Sequence, residues 1–322
     1  MAENEKTHPR FFDVMNDSIM SADIPDEEKS KLQRNLLHLR EQKINLMVTG
    51  ATGCGKSSTI NALFNTERAK VGVGVDPETM EISRYELDNL ILWDTPGLGD
   101  GVAADERHAK NIIKKLRERD ENGSYLIDLV LVILDGSSRD LGTSYHLIND
   151  VIIPNLGEEK NSRLLVAINQ CDMAKKGRDW NREQGIPEPA LVHFLDKQAA
   201  SVQTRIAEST GLWTKPVYYS ALYHYNISKL LLTMLTNMPE EKRFLFTDAM
   251  NREPSIWAKN DSEQDYNQEI EEIIFDSLSK AVDGAIKGAE AGAKLGEKIP
   301  VIGPILGAIV GGTLGFLSGF LR

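Results

Sequence analysis

Short, nearly continuous apolar runs punctuate the middle of the chain. They fall at Ile44–Val48, Ile82–Leu87, Leu90–Trp93, Leu129–Leu134, Leu164–Ile168 and Val217–Tyr219. Between them, apolar residues recur at helical spacing over Ser57–Asn65, Ala104–Arg119, Ser144–Val151, Ala190–Ser209 and Ile227–Leu235. Strands apolar on both faces and alternating with helices predict an α/β fold, a mostly parallel sheet covered on both sides. The pair Glu81–Leu87 and Leu90–Trp93 is joined only by Asp88-Asn89, which reads as a tight hairpin. The expectation is a six-stranded sheet with one antiparallel edge strand over residues 43–238.

The flanks have a different pattern. Residues 1–42 read as helical: Asp23 is the expected N-cap before Pro25, and Asp26, Glu27 and Glu28 suit a first turn. Leu32, Leu36 and Leu39 form one stripe that predicts packing on the following domain. Beyond Pro239 the strands stop, and residues 239–298 are expected to be helical, with a loop around Pro254. The fold expected overall is this sheet domain plus a helical region built from both termini.

Composition narrows the class. With 37 Lys+Arg against 48 Asp+Glu the net charge is −11, which argues against a nucleic-acid-coating protein. An apolar fraction of 41% excludes wholesale disorder. Two cysteines exclude a disulfide framework and indicate a reducing, cytoplasmic compartment, and the polar N-terminus lacks a signal-peptide core. The 25 glycines are unevenly placed, with ten between Gly284 and Gly319.

The first chemical motif follows the strand Ile44–Val48. Gly50-Ala-Thr-Gly53-Cys54-Gly55-Lys56-Ser57 fits G-x-x-x-x-G-K-[ST] and opens a helix that continues through Ser58. Glycines let successive N–H groups curl around phosphate oxygens, and the helix N-terminus adds positive potential. Lys56 is placed to bridge the terminal phosphates and the Ser57 hydroxyl to ligate Mg²⁺. Asp94-Thr-Pro-Gly97 ends the strand Leu90–Trp93: the aspartate suits Mg²⁺, held through water, and the Gly97 N–H suits the γ-phosphate. Asn169-Gln-Cys-Asp172 follows another strand, and its carboxylate matches the N1–H and 2-amino donors of guanine. Ser220-Ala221-Leu222 follows the last strand, with the Ala221 N–H expected at the guanine O6.

With these four motifs in order, the chain resembles the translation-factor-class GTPases of the Era/TrmE kind, and in detail the YfjP/YeeP group of bacterial GTPases. GATGCGKSSTINALF, DPETMEISRYEL, LWDTPGLGDG, INQCDM and YYSAL carry the resemblance. It implies a phosphate-loop, Ras-like G domain that binds GTP and GDP with Mg²⁺ and hydrolyses GTP slowly. Thr79 matches the switch threonine that faces Mg²⁺ and the attacking water. Lys56, Thr79 and Gly97 are therefore the expected catalytic residues, and Ser57, Thr79 and Asp94 the metal residues.

Two positions depart from the pattern. Gln170 stands where a lysine usually packs along the base, and Leu98 stands where Ras-like enzymes carry a water-orienting glutamine. Gly53 replaces the asparagine of potassium-activated relatives. Arg68, or a group from a partner or a second copy, is left as a source of the missing charge. Cys54 and Cys171 lie inside nucleotide motifs and read as small residues in tight space. His38, His108, His146 and His193 show no metal-ligand spacing and read as surface or helix residues.

The tail carries the remaining signal. Asp276, Asp283, Glu290 and Glu297 repeat every seven residues, with Lys280, Lys287 and Lys294 four after the first three. Gly284, Gly288, Gly292 and Gly296 repeat every four, and so do Gly303, Gly307, Gly311, Gly315 and Gly319. Residues 299–322 lack charge until Arg322, and Pro300 and Pro304 leave about 26 Å of continuous helix, marginal for a span. The pattern predicts a helical hairpin with small-xxx-small faces that self-associates, meets a membrane peripherally or as an anchor, or packs in a soluble helical domain. The alternatives are a membrane-active effector gated by GTP and a ribosome-associated assembly factor, although no RNA-binding module is recognisable.

Overall fold

The structure is a computed structural model that describes residues 10–66, 70–72, 82–99, 101–158, 160–292, 315 and 317–321. Every predicted strand is present: β1 (Ile44–Gly50), β3 (Ser83–Leu87), β4 (Leu90–Asp94), β5 (Leu129–Asp135), β6 (Leu164–Asn169) and β7 (Val217–Tyr218). A seventh, β2 (Lys70–Gly72), extends the edge, giving the order β2-β3-β4-β1-β5-β6-β7. β3 pairs antiparallel with both β2 and β4, whereas β4, β1, β5, β6 and β7 pair parallel. The reversed strand is thus one place in from the edge. Its hairpin has the expected two-residue turn, with Leu87 opposite Leu90 and Asp88 at φ +51°.

Alternate residues of the buried strands feed two cores. Leu46, Val48, Leu131 and Ile133 point to one face, Met47, Val130, Val132 and Leu134 to the other. The first face is covered by α1 (Phe11–Ser21), α2 (Asp26–Glu41), α3 (Lys56–Leu63), α7 (Ile227–Asn237) and α8 (Tyr266–Gly292). Against the second pack α4 (Val102–Arg117), the segment led by α5 (Gly142–His146), and α6 (Pro189–Thr210). After α5 the helix relaxes into a π-helical turn, Leu147–Ile152, where Ser144–Val151 had suggested plain α-helix.

The helical region does join both ends of the chain. Phe11, Phe12 and Met15 are buried, the two phenylalanine rings against Phe244, and the Phe11 N–H donates to Asp248 Oδ1 at 2.7 Å. A carboxylate 237 residues away thus satisfies one of the orphan donors of α1. Leu36 and Leu39 are buried as the stripe predicted, but α2 begins one residue after Pro25, which takes the N-cap position expected of Asp23. Proline's fixed backbone sets the start, leaving Asp26, Glu27 and Glu28 in the first turn.

α8 carries the helical tail pattern to Gly292. Lys280 reaches Glu240 rather than pairing within the helix as its spacing with Asp276 suggested. Leu317, Phe320 and Leu321 are buried, Asn267 Nδ2 donates to the Leu321 carbonyl at 2.7 Å, and Ser318 Oγ donates to Glu271 Oε1 at 3.1 Å. The chain therefore comes back to the beginning of α8. The second glycine register before Gly315 lies outside the described residues, as do Gly296, Thr79 and Arg68. Among the described residues, no helix is long and apolar enough to cross a membrane.

Candidate functional site

The strand order reverses on either side of β1, so the loop leaving its C-terminal end enters a crevice between β4 and β5. That loop is Gly50–Gly55, and α3 begins at Lys56. Gly55 sits at φ +91°, and a Cβ there would lie 2.2 Å from Asn169 Nδ2. Glycine is required twice over, for backbone conformation and for space. Ser57 and Ser58 are exposed on the first turn of α3, where a hydroxyl and helix N–H groups are available to a ligand. Lys56 Nζ donates to the Gly50 and Ala51 carbonyls, each at 3.2 Å, so the ammonium lies folded over the loop.

Asp94 occupies the tip of β4, beside β1 at Val48. Its Oδ1 is buried without a hydrogen-bond partner; burial raises the carboxyl's pKa, opposed by the Lys56 charge. A buried, partnerless carboxylate oxygen next to a lysine suits a divalent cation chemically. Three residues on, Gly97 presses against the phosphate loop. A Cβ at this position would stand 2.6 Å from both Thr52 N and Thr52 Cα. The Thr52 N–H donates to the Leu98 carbonyl at 3.0 Å, and Leu98 itself is buried, so its side chain cannot order water.

The base motifs join the same loop. Asn169 Nδ2 donates to the Cys54 carbonyl at 2.9 Å, and its Oδ1 accepts the Ala221 N–H at 3.1 Å. The amide expected to meet a guanine O6 is thus engaged by Asn169, binding the two base motifs to each other and to the phosphate loop. Gln170, at φ +59°, donates Nε2 to the Gly53 carbonyl at 2.7 Å. It makes the loop contact expected of the usual lysine, without the charge. Asp172 is buried and its Oδ1 has no partner, leaving an acceptor where guanine donors are expected. Ser220 is buried and its hydroxyl accepts the Tyr223 N–H at 3.2 Å.

Beneath the loop, Tyr219 is fully buried with its hydroxyl 2.6 Å from Thr59 Oγ1. Thr59 donates its single proton to the Gly55 carbonyl at 2.8 Å, so Tyr219 is the donor to Thr59. Cys54 and Cys171 are buried thiols whose pKa values burial raises, which makes them space fillers rather than reactive groups.

Two features escaped sequence reading. His108 lies on a helix, one of the two placements its pattern allows, but it is buried on α4 with Nδ1 3.3 Å from the Gly97 carbonyl. The signal was present: His108, Ile112, Lys115 and Leu116 form the buried stripe of α4. Thr52 inside the phosphate loop is the second. Its contact with Gly97 joins residues 45 positions apart, which no local pattern reveals.

Comparison with known proteins agrees with this geometry. Residues 45–170 match the family described as 50S ribosome-binding GTPase. Over 158 residues the chain is 30% identical to the protein YkfA of Escherichia coli K12, covering 48% of this chain and 50% of that one. It is 31% identical over 152 residues to YfjP of the same organism, covering 46% and 48%. A crystal structure of a probable GTP-binding protein engB covers 60% of this chain and 97% of its own, at 19% identity and a TM-score of 0.36. The matching segment is thus similar in sequence to a GTPase family and has the α/β fold of a phosphate-loop G domain. Its sequence is similar to those of the two bacterial proteins YkfA and YfjP. The chain spans only about half the length of these two relatives.

Proposed function

We propose that the protein is a guanine-nucleotide switch that binds GTP and GDP with Mg²⁺ and hydrolyses GTP slowly. One observation carries the reading: two buried carboxylate oxygens, Asp94 Oδ1 and Asp172 Oδ1, lack partners at a single phosphate loop. A cation with a phosphate chain and a guanine edge would satisfy both. Ser57 and Asp94 would hold the Mg²⁺, with Thr79 from the first switch. The cation would supply charge neutralisation on the phosphates. Lys56 would exchange its two carbonyl contacts for phosphate oxygens, and the Gly97 N–H would meet the γ-phosphate. Slow hydrolysis is supported by Leu98, a buried apolar side chain in the water-orienting position.

The test is displacement of a fluorescent GDP analogue from the full-length protein. GDP and GTP should compete and ADP should not. Equal displacement by ADP would refute the guanine assignment.

The tail is read as a hairpin through which the protein self-associates or meets a membrane from the cytoplasm. Supporting this, the chain leaves along α8 and returns at Leu317 to the same body. Liposome flotation of the full chain with GTP or GDP checks the membrane half; no flotation in either state leaves self-association, read by sedimentation. The family description favours a second reading, ribosome association. GTP-dependent co-sedimentation with large ribosomal subunits would support it.

A further inference from the structure

The stripe by which α4 packs into the core contains Ile112 and Leu116, both fully buried, and begins at His108. Packing alone would be met there by a leucine. A buried imidazole instead brings a polar nitrogen that must find a partner. One partner is the carbonyl of Gly97, 3.3 Å from Nδ1. A carbonyl only accepts, so Nδ1 carries the proton and donates. The same helix holds the loop at a second point, where Asp105 Oδ1 accepts the Gly99 N–H at 2.9 Å. Between them the Leu98 carbonyl accepts from Thr52 of the phosphate loop at 3.0 Å. These contacts engage the Gly97 and Leu98 carbonyls and the Gly99 N–H. They leave the Gly97 N–H, the group a γ-phosphate would require.

We infer that His108 is a positioning residue for γ-phosphate recognition: by holding the Gly97 carbonyl against α4 it sets the backbone so that the Gly97 N–H serves the γ-phosphate. This rests on the guanine-nucleotide reading of the site. A carbonyl is the negative end of a peptide dipole, and a loop free to turn it toward the phosphates would repel them. No glutamine follows Gly97, so the backbone itself carries more of the burden of organising the reaction. GDP lacks the γ-phosphate, so its binding is indifferent to His108.

The experiment compares wild type, His108→Leu and His108→Asn as full-length proteins. Leucine keeps the buried stripe apolar and removes the donor to Gly97. Asparagine places an amide N–H near the position of Nδ1. For His108→Leu, affinity for a non-hydrolysable GTP analogue and single-turnover hydrolysis should each fall about tenfold, the worth of one hydrogen bond, with GDP affinity unchanged. His108→Asn should recover most of both. Equal loss of GDP and GTP-analogue affinity would assign His108 to folding alone and overturn the inference. So would wild-type behaviour in the leucine variant, or an asparagine variant no better than leucine. If the wild type binds no guanine nucleotide, the site reading itself fails and this inference falls with it.

Discussion

Replacing Gly97 with alanine tests how closely the second switch must approach the phosphate loop. A Cβ at position 97 would stand 2.3 Å from Thr52 Oγ1 and 2.6 Å from both Thr52 N and Thr52 Cα. The hydroxyl can rotate away, but the other two atoms are phosphate-loop backbone. Ordinary carbon contacts begin near 3.5 Å, so the switch must retreat by roughly 1 Å. At that separation a charge-assisted hydrogen bond from the Gly97 N–H to a γ-phosphate oxygen is lost. Such a bond is worth about 1.5–3 kcal/mol, or about 10- to 150-fold in affinity. Gly97→Ala should therefore bind a GTP analogue that much more weakly in competition with a fluorescent GDP analogue, while GDP affinity stays within about twofold. Adding Thr52→Ala should not rescue it, because the contacts to Thr52 N and Cα persist. A Gly97→Ala protein that binds and turns over GTP like wild type would refute the reasoning. So would an equal loss of GDP affinity.

Three further outcomes follow from named contacts. Gln170→Gly removes the Nε2 bond to Gly53 without straining a backbone already at φ +59°; GDP affinity should fall about 3- to 10-fold by isothermal titration, and Gln170→Lys should retain it. Tyr219→Phe deletes the hydroxyl that donates to Thr59 but leaves Thr59 bonded to Gly55, so chemical denaturation should show a loss of about 1 kcal/mol with GDP binding intact. The Asp248 carboxyl, which accepts the Phe11 N–H, is pushed up to about 6 by burial and by Asp88, against the opposing pull of Phe11, Arg252 and Arg10. The folded chain then holds a proton that the unfolded chain releases near pH 4. Stability contributed by this group should decline as pH rises from about 4 to 6, by up to roughly 3 kcal/mol, and Asp248→Asn should flatten that part of the profile.

How far the sequence carried the fold depended on whether each signal was local. β1, β5 and β6 are buried along their whole apolar runs, so period and length alone located them. β2 spans only Lys70–Gly72 and has no such run; pairing with Arg84–Glu86 makes it a strand. Asp23 was a sound N-cap by residue type, yet the rigid Pro25 fixed the start of α2. After Pro239 no long periodic run marks the core, because the buried Phe244, Leu245 and Phe246 sit in one short turn. In the site, Asn169, Gln170 and Ala221 lie against one another and the phosphate loop, while Thr79 falls outside the described residues. The connections Gln170–Gly53, Asn169–Ala221 and His108–Gly97 are tertiary, and a motif names the residues without saying which of them touch.

Guanine selectivity in the proposed phosphate-loop switch falls to Asp172, whose buried Oδ1 has no partner. Asp172→Asn keeps one acceptor for the N1–H and turns the other arm into a donor, which suits the 2-oxo group of xanthine instead of the 2-amino group of guanine. Competition against a fluorescent nucleotide should show wild type preferring GDP over xanthosine diphosphate, and the asparagine variant reversing that order by at least tenfold. An asparagine variant that keeps wild-type preference for GDP would contradict the account.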